Sequence, residues 1–276
     1  MNILDAIAIR KSRRSYLSDP IPPSILERLM ELMAEFNREQ GLSFRFIEDG
    51  SAAFASLARS YGMFSGVKAL MVLAGKKDDP DRREKCGYFG ERLVLEATAY
   101  GLGTCWVGGT FDKKHPDLGV PGEDEAECVV PIGFVPDKPA FRERLIHRLT
   151  HGLTADTRAG TGNGGPGKEA RSGIHAEAGS PGGREGTDWG LSVEADGRLP
   201  DRIRAGIEAA LKAPSAKNAK PVRFSWKGGK LTARIPDTYA LQWVDLGIAK
   251  FHFVLAAGGK FPWGNGAAWE SEGTER

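Results

Sequence analysis

At 276 residues, with 41% apolar side chains, the chain can bury a core in one large domain or two modest ones. Its formal net charge of +2 supplies no global field for nucleic acid or an anionic membrane, so any phosphate recognition has to be local. Cys86, Cys105 and Cys128 are widely spaced and include no Cys-x-x-Cys pair, which argues against a disulfide framework or a zinc site and for buried thiols.

Asp5 and Arg10 fall within the first turns and no long apolar stretch accompanies them. Neither a signal peptide nor a membrane span is therefore expected, and a cytoplasmic location is the default. Pro22-Pro23-Ser24 followed by Glu27 has the form of a capping box, and Ile25, Leu29, Met30, Leu32, Met33 and Phe36 recur on one face, predicting a helix of about three turns. Residues 42–47 alternate enough to be a strand, and the continuously apolar run 67–74 reads as a buried one. From Tyr88 to Tyr100 a helical stripe is formed by Phe89, Leu93, Ala97 and Tyr100, with Gly101 placed to take the left-handed conformation at its end. Residues 127–134 make a further strand, interrupted by Pro131.

Residues 152–187 are crowded with Gly and small polar side chains and have almost nothing apolar to bury, so they predict a flexible linker. Closure entropy rises slowly with length, so such an insertion is tolerable. It divides the chain into 1–151 and a shorter part, 188–276. In the latter, Ile203, Ile207, Ala210 and Leu211 mark a helix that must stop near Ala213, because Pro214 disfavours helical geometry in the residue before it. Strands over 222–227 and 230–235 flank the hairpin signal Gly228-Gly229, and 241–257 supplies a long apolar helix. The order helix, strand, helix, Gly/Trp turn occurs in both parts: Phe44-Arg45-Phe46 echoes Val222-Arg223-Phe224, and Gly103-Thr104-Cys105-Trp106 echoes the segment from Gly259 to Trp263. This predicts an internal duplication.

Two segments carry candidate chemistry. Arg10-Lys11-Ser12-Arg13-Arg14 offers guanidinium forks and a short hydroxyl, the donors a phosphate monoester wants. If the run is extended, its period of two points Arg10, Ser12 and Arg14 one way and Lys11 and Arg13 elsewhere; a solvated basic patch at a helix end is the alternative. Far downstream, Pro214 stops a helix and Ser215 and Asn218 are residues whose side chains bond nearby backbone in turns, so 213–221 reads at least as a helix-to-strand connection.

The two segments together resemble the FMN-dependent nitroreductase family, through its Arg-x-Ser-x-Arg/Lys run and its Ala-Pro-Ser-x-x-Asn-x-Gln-Pro turn, with Lys220 replacing the usual Gln. In ordinary members the turn follows soon after the run; here that slot, 36–41, lacks the Pro-Ser pair. The chain is thus similar to a subgroup in which one polypeptide contains both halves of a dimer. The resemblance implies an α+β, nitroreductase-like fold with a mixed or antiparallel sheet wrapped by helices, and two duplicated halves in one chain forming an internal pseudo-dimer. It implies one FMN per chain at the interface, held by Arg10, Lys11, Ser12 and Arg14, covered by Pro214 and Ser215, with Asn218 on the turn or flavin edge. It further implies that Trp106, Val107, Gly108 and Gly109 bring backbone and ring contacts to the N5 side, that Arg142 and Arg144 complete the phosphate site, and that Tyr61 and Phe64 line the substrate side, although core packing suits Phe64 at least as well.

The activity implied is oxidoreduction: NAD(P)H delivers hydride to flavin N5, and a nitroaromatic, quinone or similar small-molecule acceptor takes the electrons, with no side-chain acid or base. Partners are NAD(P)H and the acceptor, without nucleic acid or membrane, in a monomer with an internal pseudo-dimer. A flavin- or ligand-binding module without turnover is the alternative, favoured by Lys220 and the missing first-half turn. His147 and His151, four apart, read as solvated rather than as metal ligands. No Gly-x-Ser-x-Gly elbow, Walker loop or His-Glu-x-x-His is present, so hydrolase and metalloprotease chemistries lack support.

Overall fold

The computed structural model describes residues 1–51, 64–109, 111–138 and 192–271. Helix α1 (Ile3–Ile9) is capped by Asn2, whose side-chain oxygen accepts the Asp5 N–H at 2.8 Å. Helix α2 (Pro23–Gln40) begins without the expected capping box: its cap is Pro22, with no side-chain bond. The Pro22 carbonyl takes the Ile25 and Leu26 N–H groups instead, and Pro23 sits in the first turn, where a missing N–H leaves nothing unpaired. The helix also outlasts its apolar stripe. Asn37 exchanges hydrogen bonds with the backbone of Phe44, which holds the polar last turn helical until Gly41, at φ 67°, ends it.

Strands β1 (Arg45–Ile47) and β2 (Ala69–Lys76), helix α3 (Arg82–Ala99), and strands β3 (Gly103–Thr104) and β4 (Asp124–Gly133) complete the first half. The sheet runs β1-β2-β4-β3, antiparallel throughout. β2 is buried on both faces from Ala69 to Gly75, matching its unbroken apolar run. Pro131 does not interrupt β4. It pairs with Leu70, and its carbonyl is turned away from β2, towards the Cys105 N–H, so the absent N–H costs the β2 ladder nothing. The irregularity lies at Glu127: Leu73 opposes Cys128 and Ala74 opposes Ala126, which leaves Glu127 as a bulge.

Residues 152–187, expected to be a flexible linker, lie outside the described residues. The second half comprises β5 (Ser192–Ala195), α4 (Asp201–Leu211), β6 (Arg223–Lys227), β7 (Lys230–Arg234) and α5 (Leu241–Ala257). β5 pairs parallel and β7 antiparallel with β6. Gly228 and Gly229, both at positive φ (57° and 74°), form the hairpin turn as expected. After α5 the chain returns beside β7, where Thr232 bridges Ala268.

The two halves meet along α3 and α5. An added Cβ on Gly87 would overlap the Val244 carbonyl oxygen, and one on Gly247 would overlap the Glu84 carbonyl oxygen. Pairing Gly87 with Gly247 also pairs Glu84 with Val244, so the contact is its own mirror under a local two-fold, the form an isologous dimer interface takes. The halves also exchange core residues. Ala213, Val244 and Ile248 join a cluster with Leu29, Phe36 and Leu93, while Ala6 and Ile7 of α1 pack with Leu95, Ala209 and Phe251. Among the described residues no helix is long and apolar enough to cross a membrane.

Candidate cofactor site

Leaving α1, Arg10 donates its N–H to the Ala6 carbonyl at 2.9 Å and then turns extended, with φ −56° and ψ 125°. The next residues run along the edge of the first sheet. The Arg13 N–H donates to Thr104 at 2.8 Å, the Arg14 carbonyl accepts the Ser65 N–H at 2.9 Å, and the Tyr16 N–H donates back to Ser65 at 3.0 Å. This extended course is what the alternating run requires. Arg13 reaches the Pro136 carbonyl at 2.6 Å and lies against Gly103, Lys11 and Ser12 are exposed, and Arg14 is half-buried.

Arg10 leans inward. Its Nε is 3.7 Å from Oε1 of Glu91, a wholly buried carboxylate on α3, and has no hydrogen-bond partner. Among the described residues its terminal guanidinium nitrogens have no partner either. Glu91 is a hub: Oε2 accepts the Trp106 Nε1–H at 2.8 Å, and Oε1 lies 2.9 Å from Nε2 of His252, a buried residue of α5 in the other half. One carboxylate thereby fixes the arginine run, the Trp106 loop and the second half together.

The turn at 213–221 is tightly specified. Ser215 Oγ accepts the Lys220 N–H at 2.9 Å, and Lys217, Asn218 and Lys220 all have positive φ, a conformation that costs a non-glycine residue on the order of 1 kcal/mol. Asp245 of α5 holds the turn by accepting the Ala216 N–H at 2.9 Å. Among the described residues the other Asp245 oxygen is buried without a partner, and burial pushes this carboxyl up to about 7, against the pull of the Ala216 bond and of Lys220. Lys220 folds back onto the Leu211 and Ala213 carbonyls at the end of α4. Burial lowers its ammonium to about 8, assisted by the like charge of Arg10 and opposed by Asp245 and Glu91. Arg10 and Lys220, from opposite ends of the chain, are thus electrostatic neighbours.

The glycine loop packs on the start of α5. Gly108 lies so close to Leu241, at the start of α5, and to Cys128 that a Cβ there would overlap the leucine side chain, while Gly109 leaves ordinary contact distance. Val107 exchanges two backbone bonds of 2.9 Å with Val129 and packs with Leu70, Val72 and Leu118, so its side chain serves the core. Phe64 packs against that same cluster. Tyr61, Arg142, Arg144, His147 and His151 lie outside the described residues.

Sequence reasoning missed Glu91, His252 and Asp245. A signal existed: a helix as apolar as 241–257 has no solvated face for Asp245, Lys250 and His252, which buries them and obliges them to find partners. Among the described residues the Arg10 guanidinium thus has Glu91 as its ion-pair partner and no hydrogen bond, and a guanidinium fork of that kind can take an anionic group.

A sequence model of the family described as "Putative TM nitroreductase" matches residues 2–160 and 189–257. A crystal structure of a putative nitroreductase from Thermotoga maritima is similar over 98% of this chain and 92% of that one, at 21% identity and a TM-score of 0.56. A nitroreductase with bound FMN from Bacteroides fragilis matches 51% of this chain and 92% of its own, at 19% identity and a TM-score of 0.42. An FMN-dependent nitroreductase from Clostridium difficile matches 52% and 94%, at 18% identity and a TM-score of 0.40. None of the curated proteins matches.

Proposed function

Because the chain belongs to the nitroreductase family, we propose that it is an FMN-dependent oxidoreductase using NAD(P)H and a small-molecule electron acceptor. The observation that supports this reading is the Glu91 hub, which lies 3.7 Å from Arg10 of the first half and 2.9 Å from His252 on α5, the helix that also holds the 213–221 turn through Asp245. Fragments that are incomplete in each half make one set of ligand-binding elements between them. When bound, FMN would supply the redox chemistry, taking a hydride from NAD(P)H and passing electrons to a nitroaromatic, a quinone or a similar acceptor.

The chain's own residues bind and orient. Arg10, Ser12 and Arg14 would hold the phosphate and ribityl arm, and the Arg10 guanidinium, which makes no hydrogen bond among the described residues, fits that task. Pro214 and Ser215 would cover the ring, kept in place by the Asp245 bond to Ala216. Gly108 and Gly109 would bring backbone to the ring, although the space beside Gly108 is taken by Leu241, and Trp106 is held by Glu91. Only the first half has the arginine run and only the second has the Pro-Ser turn, so one FMN per chain is expected.

The test is an absorbance spectrum of the purified protein before and after added FMN, followed by anaerobic NAD(P)H. A flavin spectrum at one FMN per chain that bleaches with NAD(P)H is the expected result. A protein that stays colourless with added FMN sinks the proposal, and bound flavin that does not bleach reduces it to a binding module.

A further inference from the structure

We infer that His252 balances the buried Glu91 carboxylate, so that the Arg10 guanidinium beside it keeps its positive charge for a phosphate and the site retains a preference for FMN over riboflavin. The inference rests on the flavin reading above and adds two positioning residues to it.

The argument is a count of protons. His252 Nδ1 is 3.1 Å from the carbonyl oxygen of Ala209, which can only accept, so Nδ1 carries a hydrogen. His252 Nε2 is 2.9 Å from Glu91 Oε1, and a hydrogen bond there needs one further proton, whichever partner holds it. Two facing lone pairs in a site where both side chains are fully buried would be repulsive and unsolvated. The pair is therefore neutral in sum. Glu91's other oxygen is occupied by the neutral Trp106 N–H. Arg10, approaching with Nε at 3.7 Å, is oriented by the carboxylate yet leaves the cluster with a net charge of one positive unit. Of the other charged groups nearby, Lys220 adds to that field, and Asp245 is committed to the turn. Had Glu91 faced Arg10 alone, the two would cancel, and the arginine fork would meet a phosphate with its charge already compensated.

This count makes asymmetric predictions that a merely structural role does not. In His252→Gln the neutral amide still donates to Glu91, but the cluster loses its positive unit. In Glu91→Gln the new amide donates to a neutral imidazole and accepts from Trp106, and the positive unit survives. Restoring neutrality around Arg10 in the double variant recovers it as well.

The experiment measures dissociation constants for FMN and for riboflavin, which lacks the phosphate, by flavin fluorescence quenching in the full-length protein. His252→Gln should weaken FMN on the order of tenfold while riboflavin changes less than about threefold, as expected for one unit charge removed at short range in an effective dielectric near about 20. Glu91→Gln and Glu91→Gln/His252→Gln should keep the wild-type ratio within about threefold. The inference falls if His252→Gln weakens both ligands equally, or if Glu91→Gln lowers the ratio as much as His252→Gln does. Should the His252 variant not fold, nitrogen-15 spectra of histidine-labelled wild type decide the matter: a proton on Nδ1 supports the balance, and a bare Nδ1 overturns it. Wild type that binds neither flavin refutes the proposed function, while the Nδ1 measurement still decides the charge count.

Discussion

Replacing Asp245 with Asn should stabilise the flavin-free protein above neutral pH and destabilise it in acid. Asp245 is 4% exposed, with one oxygen on the Ala216 N–H and the other buried without a partner among the described residues. Burial raises its carboxyl from 3.8 to about 7, so over that interval the folded chain keeps a proton that the unfolded chain has released. Stability from this group is accordingly complete below about pH 4, declines as pH rises towards 7 and is flat above it. A gap of about three pH units corresponds to roughly 4 kcal/mol at most. The asparagine variant does not recover all of it, because its amide places a new unpartnered donor in the core, at a cost of about 1–3 kcal/mol. Lys220 also loses an attractive neighbour. The net expectation is a gain of about 1–3 kcal/mol at pH 8 that turns into a loss of about 1–3 kcal/mol near pH 4, where only the cost of the amide remains. Urea unfolding at several pH values, with unchanged m, reads this directly. If wild type and variant lose stability in parallel between pH 4 and 8, Asp245 is ionised throughout and the burial argument is wrong.

Three further perturbations probe the interface and the site. Gly247→Ala pushes a methyl group into the Glu84 carbonyl, which belongs to a helix backbone and cannot yield, so a loss of about 3 kcal/mol or more in denaturant unfolding is expected; an unchanged midpoint would mean that α3 and α5 do not cross there. Lys250→Met removes the buried partner of Glu84, whose carboxyl burial already pushes up against the pull of that lysine. A loss of about 3–5 kcal/mol is expected at neutral pH, with recovery when Glu84→Gln is added; a double variant as unstable as the single one would deny the pairing. Arg14→Ala should weaken FMN by about 1.5–3 kcal/mol if it makes one charge-assisted bond to the phosphate, and an unaltered dissociation constant from fluorescence titration removes it from the site.

The elements were legible where local chemistry and tertiary demand agree. Helix α5 starts and stops where its apolar run does, and Gly228-Gly229 makes the turn that its backbone freedom permits. They were misread where a distant partner overrides the local signal. Ser24 and Glu27 have the spacing of a capping box, yet the double proline ahead of them supplies the first carbonyl and the geometry; Pro131 lies in a strand because its bare nitrogen happens to face away from β2. In the site, the motif residues could be read off the chain because they recur at fixed short spacing. Glu91 and His252 could not be paired that way, since their contact joins residues far apart in sequence and is created by the helix crossing alone.

That crossing also explains why a duplicated chain can be strongly asymmetric in chemistry. Pairing Gly87 with Gly247 sets Glu84 against Val244, Gly90 against Lys250 and Glu91 against Phe251, so Glu84, Glu91 and Lys250 each occupy a position that is apolar or vacant in the other half. Two first halves brought together would bury Glu84 twice with no lysine, and two second halves would bury Lys250 twice with no carboxylate, each at several kcal/mol. The ion pair Glu84–Lys250 and the Glu91–His252 contact are satisfied only when unlike halves meet. Fusion allows this: residues that a symmetric dimer must repeat are free to diverge once the partner is part of the same chain. The connection from α2 to β1 spans only residues 41–44, whereas 212–222 joins α4 to β6 and carries the Pro-Ser turn. The arginine run has diverged in the opposite sense, present only in the first half. The buried charges therefore enforce the pairing of unlike halves, the pairing that the proposed site between the arginine run and the Pro-Ser turn requires.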